Sequence, residues 1–324
     1  MKALRIGLLL AGIFILLLIA GGTYVKLALP NTGPSPDLKV VLTPKRIANG
    51  RYLANHVTVC MDCHSKRDWS LFAGPITGTD LGAGGEVFNR DMGFPGVFYA
   101  SNITPAAIGN WTDGDLFRAV TTGVSKDGRA LFPLMASHRF GKMDREDIYD
   151  IIAYLRTLKP VRNNIPHSEP DFPVNFLINT MPKKADFSKK PNLADTIKYG
   201  AYLINAAGCV ECHSAVDKGS VIAGTEFGGG MEFKQPAGIL RSPNITFDIE
   251  TGIGTWSKAQ FVRRFKSYTA PDYKPAKFGK GQMNTPMPWT MFGGMKETDL
   301  EALYVYLRQL KPIQNNVPRL TQAD

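Results

Sequence analysis

Two pentapeptides hold the reactive side chains of this sequence: Cys60-Met61-Asp62-Cys63-His64 and Cys209-Val210-Glu211-Cys212-His213. They use all four cysteines, so no thiol remains for a disulfide. Cysteines at i and i+3 share one face of a helical turn. Each thiol can there form a thioether to one vinyl group of a porphyrin, and the histidine that follows can give an imidazole nitrogen to the iron. Cys-x-x-Cys-His is the attachment pattern of c-type haem, so the spacing predicts two covalently bound haem c groups, and electron transfer from them. The competing readings are a dithiol redox pair, or a zinc site that joins both Cys-x-x-Cys units in one four-thiolate cluster.

The elements around the motifs repeat. Arg46-Ile-Ala-Asn-Gly50-Arg-Tyr52-Leu53 precedes the first and Thr196-Ile-Lys-Tyr-Gly200-Ala-Tyr202-Leu203 the second. Asn102-Ile103-Thr104 and Asn244-Ile245-Thr246 follow, then Trp111 and Trp256. The stretch from Phe140 to Pro166 matches that from Phe292 to Pro318 without a gap, at a constant offset of 152 residues (Phe140 to Phe292). A period this long is a tandem duplication of small domains rather than a solenoid.

Each repeat reads as mostly helical. Thr43-Pro44 is a cap followed by proline at the first helical position. Asp144 opens a closing helix, with Met143 placed as a hydrophobic staple. Ile148, Ile151, Ile152 and Leu155 recur at helical spacing, as do Leu300, Leu303, Tyr304 and Leu307. Lys159-Pro160 and Lys311-Pro312 end these helices. Gly50 and Gly200 are expected to let the opening helix of each repeat approach its closing helix, with Tyr154 and Tyr306 filling the crossings. The glycine-rich segments 74–96 and 224–238 are expected to be loops over the porphyrins.

A six-coordinate iron needs a second axial ligand, and the repeat register pairs Met135 with Met287. A thioether is soft and favours Fe(II), so His/Met ligation raises the potential relative to bis-histidine. Met287 lies between two prolines that stiffen its loop. Met143 and His138 are rivals of Met135, and Met291 and Met295 of Met287. His56 and His167 have no counterpart in the other repeat and read as surface or internally satisfied residues.

Lys2 and Arg5 precede Ile6–Val25, which carries no charge and spans about 30 Å as a helix, the thickness of a bilayer's hydrocarbon core. The flanking positive charge predicts an uncleaved anchor with the body across the cytoplasmic membrane. A cleaved signal peptide is the rival. The net charge of +10 includes a basic stretch, Lys258, Arg263, Arg264, Lys266, Lys274, Lys277 and Lys280, suited to steering acidic redox partners or to anionic lipid. Nucleic acid is excluded as a partner outside the cytoplasm. Lys183, Lys184, Lys189 and Lys190 read as charges that keep a proline-rich linker soluble.

The chain resembles the membrane-bound cytochrome c subunits of bacterial alcohol, gluconate and aldehyde dehydrogenases. The likeness covers nearly everything after residue 43 and is most specific in Gly228-Gly-Gly-Met-Glu-Phe233, Pro243-Asn244-Ile245-Thr246-Phe-Asp248, Thr251-Gly252-Ile253-Gly254-Thr-Trp256, and Met287-Pro-Trp. It implies a mainly α fold of two tandem, class I-like cytochrome c domains after one transmembrane helix: anchor 1–28, linker 29–42, domain 43–168, linker 169–194 and domain 195–320. It makes Met135 and Met287 the distal ligands beside His64 and His213. It puts Asn244 and Trp256 against the second haem and its propionates, and Asn102 and Trp111 against the first. The implied function is electron relay without substrate chemistry, at the periplasmic face of a bacterial inner membrane. The implied partners are membrane dehydrogenase subunits or a quinol-oxidising complex on one side. On the other stands a terminal oxidase, small cytochrome or cupredoxin. A diheme peroxidase-type enzyme is the alternative. Many relatives carry three haem motifs where this chain has two. The first repeat also lacks the Asp-x-x-Thr-Gly-Ile-Gly run and has Met-Ala in place of Met-Pro.

Overall fold

The computed structural model describes residues 2–279 and 281–322. The chain is mainly helical and divides into two compact units. The first comprises Met1–Lys39, Trp111–Lys142 and Pro170–Asp186, and the second Val40–Asn110, Met143–Glu169 and Phe187–Asp324.

The first unit begins with the helix Lys2–Leu27, which buries none of its residues. It is long and apolar enough to cross a membrane. The helix Asp113–Thr122 opens with a capping box, Thr112 accepting from the Asp115 amide while Asp115 accepts from Thr112. Ser35 donates to Asp115 at 2.7 Å. Gly114 packs so closely on the Pro36 carbonyl that a Cβ would lie 1.8 Å from its oxygen. These contacts fasten the stretch after the apolar helix to a short helical frame.

The second unit holds the opening and closing helices of both repeats. Pro44–Tyr52 crosses Arg145–Arg156, and Thr196–Ala207 crosses Glu297–Gln309. Thr43 caps its helix by accepting from the Arg46 amide, with Pro44 at the first helical position. At the crossings a Cβ on Gly50 would meet the Asp150 carbonyl oxygen at 1.8 Å, and one on Gly200 the Ala302 oxygen at 2.2 Å. Only glycine permits backbones this close. Tyr306 lies over Gly200, and Tyr154 is buried with its hydroxyl accepting from Asn55. Ile148, Ile152 and Leu300 are fully buried, as are the staple residues Met143 and Met295.

The repeats differ by one residue between Leu53 and Cys60. Tyr52 and Tyr202 are 150 apart, whereas Cys60 and Cys209 are 149 apart (60 to 209). The extra residue is absorbed by a π-helical turn, Leu53–Val57, in which the Thr58 amide reaches back to the Leu53 carbonyl at 2.8 Å. A single insertion inside a helix produces such a bulge. The turn then leaves Val59 at φ 47°, where the second repeat has Gly208 at φ 73°.

Two expectations need correction. The glycine-rich segments are not loop throughout. Val87–Phe88 pairs with Gly96–Tyr99, and Glu232–Gln235 pairs with Gly238–Arg241, which in turn pairs with Leu320–Gln322 near the chain's end. The third strand comes from a distant segment, so local pattern could not announce it. Lys190 is more than a solubilising charge: its ammonium pairs with Asp147 at 2.7 Å. Asp147 is itself buried, and a buried carboxylate needs such a partner.

The helix starts show how the repeats hold each other. Tyr52 of the first repeat accepts from the Lys296 amide at 3.0 Å and donates to Asp299 at 2.6 Å, at the start of the second closing helix. Tyr202 of the second repeat accepts from the Asp144 amide at 3.0 Å and donates to Asp147 at 2.7 Å, at the start of the first. Each tyrosine thus bridges the cap position and the third residue of the other repeat's helix. Lys296 has no side-chain acceptor of its own to offer at that position. Burial first, and the bonded carboxylates next, hold both phenols well above the ordinary tyrosine range.

Candidate functional site

Both pentapeptides fold as predicted into single helical turns, Cys60–Cys63 and Cys209–Cys212. The His64 amide donates to the Cys60 carbonyl at 3.0 Å, and His213 to Cys209 at 2.9 Å, so each histidine closes its turn. No disulfide joins the four cysteines. Burial pushes the Cys63 thiol up to about 12, which keeps it protonated. Among the described residues no group of three or more His, Cys, Asp or Glu is arranged to hold a metal ion, so the four-thiolate reading finds no support.

Each histidine ring is fixed by a carbonyl. His64 Nδ1 lies 2.7 Å from the Ser101 oxygen, and His213 Nδ1 lies 3.0 Å from the Pro243 oxygen. A carbonyl only accepts, so Nδ1 carries the proton and Nε2 keeps its lone pair. Burial lowers the pKa of both imidazoles, which further favours the neutral form.

The residue after each carbonyl is the asparagine singled out in the sequence. Asn102 donates to the Val161 carbonyl at 2.8 Å and accepts from the Thr104 amide and hydroxyl at 2.9 and 2.8 Å. Asn244 donates to the Ile313 carbonyl at 2.7 Å and accepts from the Thr246 amide and hydroxyl at 2.9 and 2.7 Å. These side chains tie the histidine-orienting loop to the segment after the closing helix. A third clamp comes from glycine: the Gly84 amide donates to the His64 carbonyl at 2.9 Å, and Gly229 to His213 at 2.8 Å. Their φ values of 72° and 79° suit glycine, and a Cβ on either would lie about 2.5 Å from the backbone of the asparagine loop.

The motifs differ in electrostatics. Asp62 is buried and pairs with Arg67 at 2.8 Å. Arg67 lies over the Trp69 ring, 4.0 Å from its centroid. Burial nevertheless raises the Asp62 carboxyl to about 6, Arg67 offsetting part of the cost. The second motif has Glu211 in this place.

Met287 is half-buried in the same unit as both pentapeptides, on the loop before the short helix Trp289–Phe292. Its amide donates to the Thr285 hydroxyl at 3.2 Å. Its rivals Met291 and Met295 are buried. Met135 belongs to the first unit, in a turn where its amide donates to the Phe132 carbonyl at 3.0 Å. Trp111 opens that unit's second segment, immediately before the cap Thr112, and Trp256 stands in the same place before the cap Ser257. The Trp256 carbonyl accepts from Tyr304 at 2.9 Å. His56, read as internally satisfied, has Nδ1 2.8 Å from the Met291 carbonyl.

Part of the basic stretch is used internally. Lys258 pairs with Glu301 at 3.1 Å, Lys266 donates to the Met295 carbonyl, and Arg264 lies over the Trp289 ring at 4.8 Å. Lys280 lies outside the described residues.

Two helical cysteine pairs, each followed by an imidazole with a fixed tautomer, suit a thioether-linked, iron-containing macrocycle. Residues 197–311 match the cytochrome c family. They form a cytochrome c domain. The match begins in the second opening helix and ends after the second closing helix, and so encloses Cys209, Cys212, His213 and Met287. Such a domain implies covalently bound haem c.

The chain is 27% identical, over 82% of its length, to the fructose dehydrogenase cytochrome subunit of Gluconobacter japonicus, of which it covers 52%. It is 27% identical over 86% of its length to the cytochrome c subunit of a quinone-dependent alcohol dehydrogenase of Gluconacetobacter polyoxogenes, covering 58% of it. It thus spans about half the length of these relatives. A diheme cytochrome c-type protein of Cereibacter sphaeroides matches at 28% identity over 92% of the chain and 97% of that relative. These likenesses give the peroxidase-type alternative no support.

Proposed function

We propose that this protein is a membrane-anchored diheme cytochrome c that relays electrons and catalyses no substrate reaction. The observation that carries the reading is the duplicated histidine clamp: His64 on Ser101 and His213 on Pro243, each following a helical cysteine pair. In this reading Cys60 and Cys63 hold the first haem covalently, with His64 and Met135 axial to its iron. Cys209 and Cys212 hold the second, with His213 and Met287 axial. The two tandem domains are residues 43–168 and 195–320, and Asn102, Trp111, Asn244 and Trp256 belong to the haem pockets. The bound haem supplies a one-electron Fe(III)/Fe(II) couple.

The protein's own part is to hold each imidazole as the neutral Nδ1–H tautomer and to keep the thioether turn rigid. Asn102 and Asn244 do so indirectly, by fixing the carbonyls that face the rings. Lys2–Leu27 anchors the chain in the inner membrane, with the body on the periplasmic side. The relatives named as cytochrome subunits of fructose and alcohol dehydrogenases support a dehydrogenase subunit as a redox partner. In this reading the relay runs between a dehydrogenase or quinol-oxidising partner and a terminal oxidase or small carrier.

The test is a haem count by alkaline pyridine spectrum, followed by addition of carbon monoxide to the reduced protein. Two haems per chain and an unchanged visible spectrum are expected. A single haem, or a spectrum shifted by carbon monoxide, would overturn the assignment.

A further inference from the structure

The loop that bears Met287 is held on both flanks by the first repeat. On one side Asn284 donates to the Leu71 carbonyl at 2.7 Å and accepts from the Ala73 amide at 2.8 Å. The segment leading to it pairs with the same stretch: Phe72 donates to the Ala276 carbonyl, and Phe278 to the Ser70 carbonyl, both at 2.7 Å. On the other side His56 reaches the Met291 carbonyl. Gly294 makes room for that ring, since a Cβ there would lie 2.1 Å from His56 Nδ1. His56 sits in the π turn created by the first repeat's extra residue. Every one of these residues lies in the second compact unit.

The residues that make these contacts are not repeated in the sequence of the first repeat. At the register of Asn284 the first repeat has Phe132, and at that of Gly294 it has Lys142. The stretch 70–73 begins six residues after His64, and residues 53–57 end three residues before Cys60. The peptide framework of the first motif is therefore the abutment of the loop that carries Met287.

We propose that Asn284 and His56 are positioning residues for the Met287 thioether, so that the first repeat sets the axial ligation of the second iron. The proposal rests on the reading of Met287 as an axial ligand. A ligand on a loop is held only as firmly as the groups that brace it, and a shift of about 1 Å suffices to spoil such geometry. The prolines on either side of Met287 restrict its own backbone. They do not fix where the loop stands. The cross-repeat hydrogen bonds of the Asn284 side chain do so together with Gln235 of the second repeat, which accepts from the Asn284 amide at 2.8 Å and donates to its carbonyl.

The test uses the full-length holoprotein and four variants: Met287→Ala, Asn284→Ala, His56→Ala and Asn284→Ala/Met287→Ala. Two readouts are followed: the far-red methionine-to-iron band of the ferric protein, and carbon monoxide binding by the ferrous protein. Thermal unfolding is recorded alongside. Met287→Ala should remove about half of the band and open one iron of two. If it changes neither readout, the ligand reading fails and the proposal with it. Asn284→Ala should open the same iron and lose most of the Met287 share of the band, at temperatures where the protein remains folded. The double variant should bind no more carbon monoxide than Met287→Ala alone. His56→Ala should act in the same direction and keeps the proposal testable should Asn284→Ala not fold. A wild-type band and no carbon monoxide binding in both folded positioning variants, with Met287→Ala positive, would overturn the proposal while leaving the ligand reading intact. So would a second open iron in the double variant.

Discussion

At the scale of single residues, the asparagines carry more of the site than their distance from the cysteines suggests. Asn244 satisfies buried groups on two segments and thereby places the Pro243 carbonyl against His213. Removing its amide leaves the buried Thr246 amide without its partner and takes the shorter of two hydrogen bonds from the Ile313 carbonyl, a loss of about 1–3 kcal/mol. Asn244→Ala is expected to lower stability by about that amount in chemical denaturation, and Asn102→Ala to act in the same way. The sequence marked both positions through their repeated Asn-Ile-Thr context. The resemblance places them against the haems, and the hydrogen bonds add a structural task that only the tertiary fold reveals. Val59 presents the opposite case. A β-branched residue at φ 47° costs roughly 1–2 kcal/mol, and its counterpart Gly208 avoids that cost. Val59→Gly should therefore raise the thermal midpoint, the gain reduced somewhat by glycine's greater unfolded-state entropy.

At the scale of elements, the helices were legible and their ends only partly so. Thr43-Pro44, Asp144 and the apolar spacing located the opening and closing helices, because caps and periodicity are local properties. The glycine crossings were legible too, since a repeated glycine in a helix implies close approach. The trans caps were not. Tyr52 and Tyr202 sit on one repeat's opening helix and complete the start of the other's closing helix, across 244 and 58 residues of sequence. Tyr52→Phe and Tyr202→Phe each remove a hydroxyl that bonds one backbone amide and one carboxylate. Each is expected to cost about 2 kcal/mol, read as a shift of the denaturation midpoint without change in slope. Asp147 and Asp299 were visible in the sequence as ordinary residues of a helix's first turn. Burial makes them the acceptors that hold two repeats together.

At the scale of the whole molecule, His56 links pH to integrity. Burial lowers its pKa below the ordinary value of 6.5, with the Lys266 charge adding to the effect and the Met291 carbonyl opposing it. For a group whose folded pKa is depressed, the contribution to stability is complete above the unfolded value. It is lost as the pH falls through the folded one. Wild type should therefore lose stability on acidification below about 6.5 more steeply than His56→Gln, measured by denaturation across that range. Equal slopes for the two proteins would contradict this.

What the sequence alone determined is the chemistry. The two pentapeptides, the duplication, the helical character and the apolar N-terminal segment depend on residue types at short spacing, where geometry follows from the period of a helix. Tertiary structure decided which distant groups complete that chemistry. It chose the carbonyls that orient His64 and His213, the tyrosines that cap across repeats, the terminal strand that finishes a sheet, and the bracing of the Met287 loop by residues more than two hundred positions earlier. These contacts depend on chain crossings and buried hydrogen bonds, which no short window of sequence contains. The one-residue difference between repeats stands between the two scales. It could be counted in the sequence, but only the fold made of it a π turn that carries His56 to the Met291 carbonyl.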